Sequence, residues 1–153
     1  MWYNQKVISY ANNFNFMEAV MKATRVWFEG ERIYIETEDG RTLWQSILYY
    51  QRLKNATDEQ RNDYELGAFG IHWEEIDEDI SYESFEYDMP EPVGISRIFL
   101  MHPELNASAV ACRLGIQQSL LAQYIRGLKK PSAEREQMIL ETIREIGSEL
   151  CAV

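Results

Sequence analysis

Between residues 22 and 45, in "KATRVWFEGERIYIETEDGRTLWQ", apolar and polar positions alternate. Val26 and Phe28 alternate with Trp27 and Glu29, and Ile33 and Ile35 with Tyr34 and Glu36. A period of two is that of a strand with one buried face. "EGE" at 29–31 and "EDGR" at 38–41 are turn signals, the second an Asp-Gly hairpin turn. The pattern predicts a three-stranded antiparallel meander over about 24–29, 32–38 and 41–45. "SILYYQRLKNA" then predicts a helix that buries Ile47, Leu48 and Leu53. Thr57 and Gln60 have the spacing of a capping box at the head of "TDEQRNDYEL". "FGIHWEEI" predicts one last short strand, and "DEDISYESF" a turn into a short helix capped by Ser81.

At "YDMPEPVG", residues 87–94, Pro90, Pro92 and Gly94 interrupt any regular element. Beyond it the period becomes helical. "ISRIFLMH" offers Ile95, Ile98 and Phe99 as one stripe. "NASAVACRLG" predicts a short helix capped by Asn106 and stopped by Gly115, and "QSLLAQYIRG" a second that stops at Gly127. "PSAEREQMILETIREIGSEL" predicts a longer helix. Ser132 caps it, Glu134 and Glu136 lie at its positive end, and Met138, Ile139, Thr142, Ile143, Ile146 and Leu150 form its apolar stripe. The expected fold class is α+β: a small antiparallel sheet with helices over 1–90, then an all-α four-helix domain over 91–153.

Charge sharpens that division. The 153 residues carry a net charge of -10. Residues 1–92 hold 8 Lys+Arg against 19 Asp+Glu, and residues 93–153 hold 7 against 6. The acidity therefore belongs to the N-terminal part, and such asymmetry points to two functional units. Apolar residues make up 46% and charged residues 26%, the range of a globular protein. No 18-residue apolar run predicts a membrane span, and "MWYNQKVISYANNFNF" lacks the charged flank and apolar block of a signal peptide. Cys112 and Cys151 make no framework, so two free thiols in the cytoplasm are expected.

The two short helices carry the functional signal. Ala111 is a small residue that lets the second helix cross closely, and Gly115 suits a left-handed turn. Val110, Leu114, Ile116, Leu121 and Tyr124 fall on inward positions. That leaves Gln118, Ser119, Ala122, Gln123 and Arg126 outward, short or polar side chains suited to base edges in a major groove. "AVACRLGIQQSLLAQYIRGLKKPS" resembles the helix-turn-helix of lambda-repressor-like, Xre-type DNA-binding domains, over about residues 93–150. The resemblance implies base contacts from Gln118, Ser119 and Gln123. It implies backbone contacts from Gln117, Arg126, Lys129 and Lys130. One departure is Ala107, which stands where family members often place a phosphate-clamping Gln. Double-stranded DNA and a second copy of the chain are the expected partners.

The acidic part resembles a small bacterial family known as a domain of unknown function. "DGR", an apolar helix ending in "RL", "AT-x-x-x-R" and "GIHW-x-x-IDEDIS" carry that resemblance over roughly 20–86. It implies an α+β fold often joined to a helix-turn-helix, and an antitoxin-like or autoregulatory role. It supplies no catalytic residues. "HWEEIDEDIS" is rich in carboxylates, but it has neither the central Gly of a calcium loop nor the paired His or Cys of a zinc site. No metal, cofactor or catalytic role is therefore expected. Trp73, Asp77, Glu78 and Asp79 are read instead as residues facing a small basic protein partner. Trp2, Tyr3, Trp27, Trp44, Tyr49 and Tyr50 are expected mainly in the core. Any patch of them left exposed marks an interface.

Overall fold

The computed structural model describes residues 21–153. Trp2 and Tyr3 lie outside the described residues. The alternation over 22–45 forms three antiparallel strands in the order β1-β2-β3: Ala23–Glu29, Arg32–Thr37 and Thr42–Ser46. Their inner face carries Val26, Ile33 and Ile35, all buried. Gly30, at φ +58°, makes the first reversal, and Gly40, at φ +84°, the second.

The run "SILYYQRLKNA" is not one helix. A 3₁₀ turn at Ile47–Tyr49 ends at Tyr50, and α1 follows at Gln51–Asn55. Both pieces still bury the residues expected of one amphipathic face, Ile47, Leu48 and Leu53. Helix α2, Asp58–Asn62, has the capping box that Thr57 and Gln60 predict.

"GIHWEEIDEDIS" departs from expectation more strongly. It is a hairpin, with β5 at Gly70–Trp73 and β6 at Glu78–Ser81, and β4 (Glu65–Leu66) makes it a second three-stranded sheet. Residues 78–81, expected as a turn, are therefore a strand. Ile80 is the single apolar residue of β6, so no alternation shows in its four residues. Pairing decides the matter: Ile71 lies opposite Ile80, and both are buried. Gly70 is required there, because a Cβ would lie 2.5 Å from the Ile80 carbonyl oxygen. Ser81 then caps the short 3₁₀ turn Tyr82–Glu86, as expected of the cap.

Beyond the linker come α3 (Gly94–Met101), α4 (Ala107–Leu114), α5 (Gln118–Ile125) and α6 (Ala133–Cys151). The buried side chains form two clusters. One joins Val26, Ile33, Ile35, Leu53, Ile71, Trp73, Ile80 and Phe85. The other joins Ile95, Phe99, Val110, Ala111, Leu121, Tyr124 and Ile139. On α6, Ile139 is buried, and Leu140, Ile143 and Ile146 pack against the cluster. Met138 and Leu150, expected in that stripe, are 40% and 70% exposed. Leu140 takes the inward place next to Ile139, and Ile146 is the last residue of α6 packed against the cluster.

The two clusters are bridged by polar contacts centred on α3. Arg97 donates to Glu31 in the β1–β2 turn at 2.5 and 2.9 Å. Gln51 Nε2 and Lys54 Nζ, both on α1, donate to the Leu100 and Met101 carbonyls at 2.7 and 2.9 Å. These two carbonyls belong to the last turn of α3, where no intrahelical donor remains. Tyr49 donates to the Pro90 carbonyl at 2.7 Å, and Arg32 pairs with Glu91 at 2.6 Å.

Candidate nucleic-acid interface

Helix α4 starts at Asn106, whose side chain accepts a hydrogen bond from the Ala109 amide at 3.0 Å. It stops at Gly115, which is left-handed with φ +69° and ψ +28°. The Ile116 amide closes the turn by donating to the Ala111 carbonyl at 3.0 Å. Three residues after Gly115, the chain has reversed and α5 begins at Gln118. Ala111 is fully buried where the two helices pack, as its small side chain predicts. Val110, Leu121 and Tyr124 are buried, and Leu114 and Ile116 pack half-buried against them. Arg113 fastens α4 to α6 through Glu149 at 2.5 Å, which occupies a cation on that helix.

On α5, Gln118, Ser119 and Gln123 are exposed and Ala122 is half-buried. At about 100° per residue, positions 118, 122, 126, 119 and 123 fall within an arc of about 140°. Leu121 and Tyr124 lie on the opposite side and anchor the helix to the core. No side chain caps the start of α5. Its first amides thus join Gln118 and Ser119 in facing outward, with the positive end of the helix dipole behind them.

Gln117, Arg126, Lys129 and Lys130 are exposed around the two ends of that face. Gln117 is the residue at the N-cap of α5, and Arg126 the residue at its C-cap. After Gly127, at φ +71°, the loop folds back: the Leu128 and Lys129 amides donate to the Gln123 carbonyl at 3.0 and 3.4 Å. This brings the two lysines next to the end of the helix. Ser132 then caps α6 by accepting from the Arg135 amide at 3.2 Å. The linker touches this corner, since a Cβ on Gly127 would lie 2.6 Å from Pro90 Cγ.

The partner-facing residues expected from sequence, Trp73, Asp77, Glu78 and Asp79, fall differently. Trp73 is fully buried, so it cannot meet a partner. Its ring packs edge-on to Phe28 at 6.4 Å, and Nε1 donates to the Arg61 carbonyl at 2.9 Å. A Trp beside several carboxylates reads as surface in sequence, but strand β5 turns it inward. Asp77 is exposed, left-handed at φ +53°, and held by Arg52 at 2.8 Å. Glu78 is half-buried, and burial raises its pKa above the usual carboxylate value. Asp79 is exposed and bonds His72 Nδ1 at 2.7 Å. Among the described residues, no group of three or more His, Cys, Asp or Glu side chains is placed to hold a metal ion. Cys112 and Cys151 are both free and exposed. No helix among the described residues is long and apolar enough to cross a membrane.

Sequence reasoning missed the contacts that hold the two clusters together. Glu31, Gln51, Lys54 and Arg97 are charged or polar residues on unrelated elements, and no spacing rule connects them. It also placed Trp27, Trp44, Tyr49 and Tyr50 mainly in the core. Trp27, Tyr49 and Tyr50 are half-buried, and Trp44 is 37% exposed.

Comparison with known proteins gives little beyond the acidic half. No curated protein matches the chain. A protein of unknown function from Rhodospirillum rubrum ATCC 11170, solved by crystallography, is 27% identical; the match covers 44% of this chain and 93% of that one, with a TM-score of 0.37. Residues 23–90 match the family model described as Protein of unknown function (DUF2442), and this stretch of the chain is a domain of that family.

Proposed function

We propose that the protein is a sequence-specific DNA-binding transcriptional regulator of the lambda-repressor-like type that reads its site with α5. The observation that carries this reading is the outward arc of α5. Gln118, Ser119 and Gln123 stand exposed on a helix that Leu121 and Tyr124 fix to the core. Gln offers a donor and an acceptor that match adenine bidentately, and Ser bonds to several base edges. Gln117, Arg126, Lys129 and Lys130 flank the arc where phosphates would lie. Two copies would address half-sites about 34–36 Å apart.

On a duplex that the protein binds, Gln118→Ala or Gln123→Ala should cost about 1–3 kcal/mol and relax the sequence preference. Lys129→Ala should weaken all sequences alike and lower the salt slope by about one. Equal losses on every sequence for all three variants would reduce α5 to a non-specific surface. An antitoxin-like role, in which the protein represses its own gene, is compatible with this reading.

A second reading has its own support in the hairpin turn of the acidic half. Glu74, Glu75, Asp77 and Asp79 are all exposed there. Four carboxylates on one hairpin suit a small basic protein partner, bound without catalysis. Charge reversal at Glu74 and Glu75 should then abolish co-purification of that partner while Gln118→Ala leaves it intact.

A further inference from the structure

The outer face of the first sheet repeats one pattern on two strands. "RVWFE" on β1 and "RIYIE" on β2 each present Arg, an aromatic and Glu outward, at Arg25, Trp27 and Glu29 and at Arg32, Tyr34 and Glu36. The strands are antiparallel, so Arg25 lies opposite Glu36 and Glu29 opposite Arg32, with Trp27 opposite Tyr34 between them. Trp44 on β3 extends the central row, opposite Tyr34. The rings of Trp27 and Tyr34 stack 5.4 Å apart at 10°. Arg25 lies over Trp27 at 5.0 Å, and Arg32 over Trp44 at 4.1 Å. Trp44 and Arg25 are exposed and Trp27, Tyr34 and Arg32 half-buried, and Trp, Tyr and Arg in one such cluster are the composition of an interface hot spot.

The charges decide what fits there. Positive and negative corners alternate around the aromatic row. A partner of one sign would be repelled at two of the four corners. A second copy, turned about a two-fold axis in the plane of the face, places an Arg on a Glu at every corner. With the axis along the strands, Arg25 meets the other copy's Glu36. With the axis across them, it meets the other copy's Glu29. We infer that this face is the site where two copies of the chain associate, aromatic row against aromatic row, in a closed isologous dimer. The inference stands apart from the DNA-binding reading and uses none of its residues.

Sedimentation velocity over a range of concentrations tests it, with circular dichroism to check folding. Arg32 also holds Glu91, so the variants are placed at the Arg25 corner. Trp27→Ala and Arg25→Glu should each weaken self-association about tenfold or more. Two double variants, Arg25→Glu with Glu36→Arg and Arg25→Glu with Glu29→Arg, then select the axis. One should restore the dimer and the other should not. A chain that stays monomeric at high micromolar concentration overturns the inference. So does a dimer indifferent to both single variants, or one restored by neither double variant or by both alike.

Discussion

Arg97, on α3, grips Glu31, in the β1–β2 turn, with two hydrogen bonds of 2.5 and 2.9 Å. It is the two-pronged contact between the elements that carry the two clusters, and a guanidinium suits a carboxylate in this geometry. The bond holds the Glu31 carboxyl below its ordinary value of 4.5. A carboxylate whose folded pKa is depressed adds stability above its unfolded pKa, and this is lost as pH falls through the folded value. Both side chains are 43% exposed, so the effect is modest. Glu31→Gln should cost about 0.5–1 kcal/mol at pH 7, and the difference from the parent should shrink as pH falls below 4.5, in urea melts across that range.

Gly115 and Gly127 are both left-handed, at φ +69° and +71°, but their surroundings differ. A Cβ on Gly115 meets nothing within 4 Å, whereas one on Gly127 would lie 2.6 Å from Pro90 Cγ. Gly115→Ala should therefore cost only the backbone term, about 1–2 kcal/mol. Gly127→Ala should cost about 1–3 kcal/mol more, from overpacking. Adding Pro90→Ala to Gly127→Ala should recover that excess and leave the backbone term, as read from thermal melts of the three variants and of Pro90→Ala alone.

His72 sits in a row across the second sheet, with Glu65 on one side and Asp79 on the other. The hydrogen bond that His72 donates to Asp79, then the nearby carboxylates, raise its pKa above 6.5. For a raised folded pKa, the contribution to stability is complete below the unfolded pKa and fades as pH rises through the folded one. Histidine resonances followed by NMR should give a pKa for His72 above 6.5. Asp79→Asn should lower it, while Glu83→Gln, on a neighbouring turn, should leave it in place.

The first sheet is legible in sequence because its inner face follows the period of two without a break, from Val26 to Ile35. The helical half is legible because its stop and start signals are local: Asn106, Gly115, Gly127 and Ser132 each act on the turn they occupy. Of the second sheet only β5 is legible, as the short strand expected in "FGIHWEEI"; β6 is not, since Ile80 is its single apolar residue and is placed by its partner Ile71. The inward direction of Trp73 is not legible either, because it depends on which face of β5 is buried. The outward arc of α5 could be read from 3.6-residue spacing. The Arg–aromatic–Glu repeat is also visible in sequence, but its alternating corners exist only once the register of β1 and β2 is known.

The measurement that bears most directly on α5 as a reader of DNA is selection of bound duplexes from a random pool, at low and at physiological salt. A shared motif enriched at both salts, and lost in the Gln118→Ala/Gln123→Ala double variant, is the predicted result. Recovery of duplexes with no common sequence, even at low salt, would contradict it.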